Sequence, residues 1–170
     1  MVVLDATFLM LLFNPNAAVP GDKKGVPVSD ATRRIDLLIS ELSKSRTPIL
    51  IPTPALSEAL VRAGDKTVEF LALIEKYAVF EIVPFDQMAA IEVAMIAREE
   101  LGKKRPDAAT TYAKIKYDRQ IVAIAKVRQA SIIYSDDDGV ATLGARLNIS
   151  VKNCPICRFR SNLIYFPNDQ

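Results

Sequence analysis

The sequence predicts an α/β fold with a mainly parallel central sheet, and three observations lead there. Short, fully apolar runs alternate with segments whose apolar residues recur at helical spacing, the pattern of strands covered on both faces by helices. Helix start and stop signals lie between these runs. The 170 residues, 50% hydrophobic and 25% charged, have the size and balance of one globular domain that buries roughly 70% of its unfolded surface.

In chain order, Val2 to Leu4 reads as the first strand and Phe8 to Phe13 as the helix after it, with Asp5 between them. Asn14 to Val28, NPNAAVPGDKKGVPV, holds three prolines and two glycines without any period, which predicts a long surface loop. Ser29 is placed to cap the next helix, whose Ile35, Leu38, Ile39 and Leu42 recur at helical spacing. Pro48 to Ile51 is the second strand. Thr53 as N-cap with Pro54 at the first helical position opens a helix carrying Leu56, Ala59, Leu60 and Ala63, and Gly64 ends it. A helix near Lys66 to Lys76 and a β-rich run from Val79 to Val83 follow. Gln87 to Leu101 is helical with Met88, Ile91 and Met95 on one face, and GKKRP from Gly102 to Pro106 stops it. A long helix covers about Thr110 to Gln129, then come a strand at Ser131 to Tyr134, a helix at Val140 to Leu147 and a last strand at Ile149 to Val151. These elements make one domain over residues 1–151 with an inserted loop at 14–28. The tail, 152–170, is basic around Arg158 and Arg160 and apolar from Leu163 to Phe166, and is expected to pack on the domain or a second subunit.

The chain has no histidine, two cysteines and a net charge of +2. Without histidine there is no Ser-His-Asp or Cys-His catalysis, no His-ligated zinc and no imidazole proton transfer. Carboxylate chemistry, or binding alone, is left, and 20 Asp and Glu offer hard oxygen ligands suited to magnesium or manganese. Cys154 and Cys157 form a single C-P-I-C with no second pair, so zinc would need another chain or other ligands. A redox motif would open a helix after an early strand, whereas this one lies late in the chain. Two reduced thiols in a cytoplasmic protein are the expectation. No apolar run reaches the roughly 18–20 residues needed to cross a bilayer. Asp5 interrupts the apolar first thirteen residues and no basic segment precedes them, which argues against a signal peptide.

In parallel α/β sheets ligands bind beyond the carboxyl ends of the strands, so acids at those points matter most. Asp5 ends the first strand; it can cap the following helix, a role worth about 1 kcal/mol. Glu58 lies early in the helix after the second strand, with Arg62 at i+4 as an ordinary ion-pair partner. Asp118 falls on the apolar stripe of Ile115, Ile121, Val122 and Ala125, where a carboxylate costs several kcal/mol unless something pairs with it. That partner is either a cation of a neighbouring helix or a bound ion. Ser135-Asp136-Asp137-Asp138-Gly139 follows a strand and opens a helix; capping needs one acid, and three in succession repel one another unless a cation neutralises them. Together these acids suit a hard divalent ion, which binds one or two carboxylates directly and holds water against the others. Such a site can activate water to attack a phosphodiester.

A strand running into Asp5-Ala6-Thr7, a helix-borne Glu58, Asp118 in KYDRQIVAIA and a strand leading into YSDDD resemble the PIN-domain nucleases, particularly VapC-like toxin ribonucleases. The resemblance covers nearly the whole chain. It implies a three-layer α/β/α fold, a Mg2+- or Mn2+-dependent ribonuclease, a homodimer and an antitoxin protein as partner. It assigns Asp5, Glu58, Asp118 and Asp137 as the catalytic acids, with Asp5, Asp118, Asp137 and Asp136 as candidate metal ligands. Thr7 and Ser135 support them, and Asp136 and Asp138 compete with Asp137 for the fourth position. Lys103-Lys104-Arg105, Lys114, Lys116 and Arg119 lie before or around Asp118; of these, Lys114, Lys116 and Arg119 are the candidate RNA contacts through phosphate. A non-catalytic RNA-binding or interaction module of the same fold is the alternative, and the filling of all four acid positions argues against it. A receiver-like or phosphatase domain is a third reading, disfavoured because Asp5-Ala6-Thr7 replaces the D-x-D such phosphatases need.

Overall fold

A computed structural model describes residues 1–14, 29–99 and 112–153. The inserted loop beyond Asn14, the basic run Lys103-Lys104-Arg105 and the tail with Cys154, Cys157, Arg158 and Arg160 lie outside the described residues. Five strands, β1 (Val2–Leu4), β2 (Ile49–Pro52), β3 (Phe80–Val83), β4 (Ile132–Tyr134) and β5 (Ser150–Lys152), form one sheet in the order β3-β2-β1-β4-β5. All four pairings are parallel.

Parallel neighbours require crossovers, and helices supply them. α1 (Ala6–Phe13) and α2 (Ala31–Lys44) link β1 to β2; α3 (Thr53–Ala63), a 3-10 turn (Gly64–Lys66) and α4 (Thr67–Lys76) link β2 to β3. α5 (Gln87–Glu99) and α6 (Tyr112–Val127) precede β4, and α7 (Asp138–Arg146) joins β4 to β5. The helices cover the sheet to make three layers, α/β/α. No described helix is long and apolar enough to cross a membrane.

The central strands are apolar because both their faces are covered: every residue of β1 and β2 is buried. The edge strand β3 instead exposes Glu81 and Ile82, and a charge on an edge discourages pairing with another sheet. α6 is packed against α3, α5 and α7, so Ile121, Val122, Ala123, Ile124 and Ala125 are all buried in succession. Gly144 lets α7 close on β5, since a Cβ there would collide with Val151.

Two local expectations are corrected. Ser29 does not cap α2; Asp30 occupies that position with φ 54° and makes no side-chain cap bond. Thr53 is the first residue of α3 rather than its cap, and its hydroxyl accepts a bond from Phe85 N at 3.0 Å, tying α3 to the segment after β3. Met88, Ile91 and Met95 share one face of α5, as their spacing indicates, and that face is exposed; the helix buries Ala89 and Ile96.

Ile133 is fully buried on β4 between β1 and β5. Ile133→Ala is expected to lower stability by about 2–5 kcal/mol, seen as a lower urea midpoint at unchanged slope.

Candidate active site

The strand order reverses between β1 and β4, and a crevice opens beyond the carboxyl ends of the strands at such a point. Register decides what stands there. Leu4 pairs with Tyr134, and Asp5 N donates to Tyr134 O at 3.0 Å, so the next residues on the two strands, Asp5 and Ser135, are neighbours. Ser135 Oγ donates to Asp5 Oδ2 at 2.6 Å, and Ala6 N donates to Asp5 Oδ1 at 2.6 Å. Both residues are buried, Asp5 at 6% and Ser135 at 2% exposure. Burial pushes the Asp5 carboxyl from 3.8 up to about 6, against the two hydrogen bonds and with help from the charges of Glu58 and Asp137.

Ser135 also orders the next turn, its Oγ accepting from Asp137 N at 3.1 Å. Asp137 then caps α7, Oδ1 accepting from Gly139 N at 2.7 Å and Val140 N at 3.3 Å. Its other oxygen, Oδ2, pairs with Lys114 Nζ at 2.7 Å, a bond that holds the ammonium above its usual pKa. Asp118 lies one turn after Lys114 on α6. Burial first, then the charge of Asp137, raises Asp118 from 3.8 to about 7, with Lys114 opposing. A Cβ at Gly139 would collide with Asp118 Oδ2 and stand 2.9 Å from Asp137 Oδ1. Only glycine lets these two carboxylates close over the start of α7.

Asp5, Thr7, Glu58, Lys114, Asp118, Asp136 and Asp137 line one cleft at this end of the sheet. Ser135 lies beneath it, acting through Asp5 and Asp137. Asp138 is exposed at the start of α7 and does not line the cleft, nor do Lys116 and Arg119. At about 100° per residue, Lys116 falls on the far side of α6 from Asp118 and Arg119 a quarter turn away, whereas Lys114 shares its face. A second hollow of equal size, lined by Arg46, Lys76, Tyr77 and Glu81 among others, lies at the opposite ends of the strands and groups no cluster of acids. Gly139 and the cleft-lining Tyr117 are the residues that sequence reasoning missed. The small residue closing SDDDG and the aromatic beside Asp118 are the signals that carry them.

The donor set is chemically that of a hard divalent ion, and the carboxylates are close enough to raise one another's pKa. Among the described residues, however, no three Asp, Glu or Cys side chains approach one point closely enough to hold a single ion. Lys114 takes Asp137 and Arg62 takes Glu58 through an i,i+4 ion pair, so these acids are neutralised from within the chain.

Folded Asp5 and Asp118 keep their protons up to about 6 and about 7, while the unfolded chain releases them near 3.8. The folded state therefore binds more protons through that window, and stability in EDTA is expected to fall as pH rises from about 4 to about 7. Thermal unfolding across that range measures it, with Asp118→Asn expected to flatten the slope.

No family sequence model matches the chain, and no curated protein sequence matches it. Solved structures do. VapBC2 from Rickettsia felis, bound to a DNA fragment from its promoter, superposes with TM-score 0.58 at 14% identity, over 90% of this chain and 98% of that one. DNA-bound VapBC from Salmonella typhimurium gives 0.55 at 18%, over 90% and 97%. VapC20 of Mycobacterium tuberculosis, a toxin that cleaves the sarcin-ricin loop, gives 0.54 at 15%, over 85% and 95%. At these identities the likeness is one of fold, and the chain carries the VapC-like PIN-domain fold.

Proposed function

We propose that this chain is a metal-dependent endoribonuclease that hydrolyses RNA phosphodiester bonds in the acidic cleft, as the toxin of a toxin-antitoxin pair. One observation carries the reading: acids from four separate segments, after β1, on α3, on α6 and before α7, line a single cleft at the carboxyl end of a parallel sheet. Asp5, Asp118 and Asp137, with Asp136 beside them, are the residues that would hold Mg2+ or Mn2+. The ion, when bound, supplies the positive charge and the lowered water pKa that hydrolysis of a phosphodiester needs.

The chain's own residues do the rest. Ser135 and Ala6 N fix the Asp5 carboxylate, which prevents it from turning away from the cleft. Asp118, half-buried with its carboxyl raised to about 7 by burial and by Asp137, would give up its proton to a bound cation and so couple ion binding to pH. Lys114 stands on the same face as Asp118 with its side chain half exposed and its ammonium on Asp137, and is the cation best placed to meet a phosphate. Glu58 adds charge from the opposite wall, on α3.

Partners follow from the same reading. An antitoxin fits two neighbours that are VapBC assemblies on DNA. A homodimer fits the exposed apolar stripe of Met88, Ile91 and Met95. A cytoplasmic location fits with both. The second reading, an interaction module with acids in structural roles, is favoured by one specific observation: Asp5 and Asp137 cap helices and Glu58 pairs with Arg62.

Cleavage of labelled single-stranded RNA separates the two. Activity is expected with Mn2+, absent in EDTA, and reduced about 100-fold or more in Asp118→Asn and Asp5→Asn of unchanged circular dichroism. Full activity in EDTA or in either variant ends the metal-nuclease reading. Gly139→Ala is a finer probe: alanine favours the helix by about 1 kcal/mol over glycine, yet its methyl displaces Asp118. Stability near that of the parent with Mn2+ affinity about 10- to 100-fold weaker is the expected result by calorimetry.

A further inference from the structure

We infer that Tyr117 is a stacking platform for an unpaired nucleobase beside the scissile phosphate, an inference that rests on the proposed nuclease reading. Tyr117 lines the acidic cleft and is 43% exposed. Among the described residues its ring meets no other aromatic ring and its hydroxyl has no hydrogen-bond partner. A large half-exposed aromatic that, among the described residues, stacks on no other ring and has no polar anchor is a surface that a ligand can use.

Its neighbours define the ligand. On α6, Lys114, Tyr117, Asp118 and Ile121 fall within about 100° of one another, so the ring stands beside the carboxylate and the ammonium rather than behind them. Across the cleft, α3 contributes Val61, 80% exposed, next to Glu58 and Arg62. The cleft thus combines acids with apolar surface on both walls, Tyr117 and Ile121 on α6 and Val61 on α3, and two cations, Lys114 and Arg62, whose side chains are half exposed in its lining. Its volume, about 580 Å³, is in the range of small-ligand pockets. A flat π-face next to cations and a carboxylate-lined floor matches a nucleotide: the base on the ring, the phosphate towards Lys114 and the acids. With a divalent ion on the acids, Lys114 and Arg62 are released from Asp137 and Glu58, and they then favour an anionic occupant over an apolar helix of a protein partner.

Geometry then restricts the substrate. Bases inside a duplex are stacked on one another and present only their edges, so a side-chain ring can stack on one only where the strand is unpaired or the base is splayed out. Tyr117 therefore selects single-stranded or looped RNA, and reads the shape of the strand rather than its sequence, because every base has a π-face.

The test is equilibrium binding of the full chain, with Ca2+ in place of Mn2+ so that cleavage is suppressed while the acids stay neutralised, to a single-stranded RNA carrying one 2-aminopurine. Stacking is expected to quench its fluorescence. Tyr117→Phe keeps the quench, whereas Tyr117→Ala loses it and binds about 5- to 150-fold more weakly at unchanged thermal stability. A blunt RNA duplex competes poorly with the single strand. Quench and affinity in Tyr117→Ala equal to the parent overturn the inference while leaving cleavage as a separate question. Quench in a parent chain that never cleaves RNA overturns the nuclease reading and supports the platform. A parent chain that binds no RNA overturns both, and leaves the wall to a protein partner.

Discussion

The hydrogen bond between Ser135 Oγ and Asp5 Oδ2 is what the rest of the site depends on. It exists because β1 and β4 are parallel neighbours in a register that ends both strands at the same level. A slip of one residue would turn Asp5 to the other face and set an unpartnered carboxylate against the core, at a cost of several kcal/mol. The same hydroxyl accepts from Asp137 N, so one atom joins the end of β1, the end of β4 and the start of α7. Asp137 in turn fixes the helix whose Gly139 gives Asp118 room. The site is thus assembled from the sheet outward, and the helix-borne acids are brought to a point that the strands have already set.

Bringing acids together has an electrostatic consequence. Asp5 and Asp118 each feel Glu58 and Asp137, and burial already disfavours their charge, so both hold protons to far higher pH than a free carboxyl. Lys114 and Arg62 offset part of the remainder, one on each wall, each through a single ion pair. The acids of the cleft, Asp5, Glu58, Asp118, Asp136 and Asp137, outnumber these two cations.

Much of this was legible in the sequence because burial writes itself as apolar pattern. Val2 to Leu4 reads as a covered strand and is one; Pro48 to Ile51 does so from Ile49 on, with Pro48 exposed ahead of the strand and Pro52 closing it; and Asp118 stood out because a charge interrupts an otherwise apolar stripe. What was not legible depends on partners distant in the chain. The hydroxyl of Thr53 looked like a cap, yet its bond is to Phe85, 32 residues on, which no local pattern encodes. Met88, Ile91 and Met95 have the spacing of a core face, and spacing does not say whether α5 turns that face inward; α6 takes the opposite one. Lys116 and Arg119 cluster with Lys114 in sequence, but a helix separates residues two apart to opposite sides. Gly139 carries no side chain to notice, and its meaning lies wholly in what approaches it.

The structural duties of the acids do not account for them. Asparagine caps a helix about as well as aspartate, through one neutral oxygen. Asp5 uses Oδ1 for Ala6 N and Asp137 uses Oδ1 for α7, duties that an amide oxygen would meet. Asp118 caps nothing and sits half-buried on an apolar face. What a cap leaves unexplained is the negative charge, which burial and neighbouring carboxylates make unfavourable at Asp5 and Asp118. Lys114 cannot absorb all of it, since one ammonium faces Asp137, Asp118 and Asp138 together. Carboxylate charge at the carboxyl end of a parallel sheet, beyond what capping uses and costly at Asp5 and Asp118, is the kind of arrangement found at functional sites rather than one the fold requires.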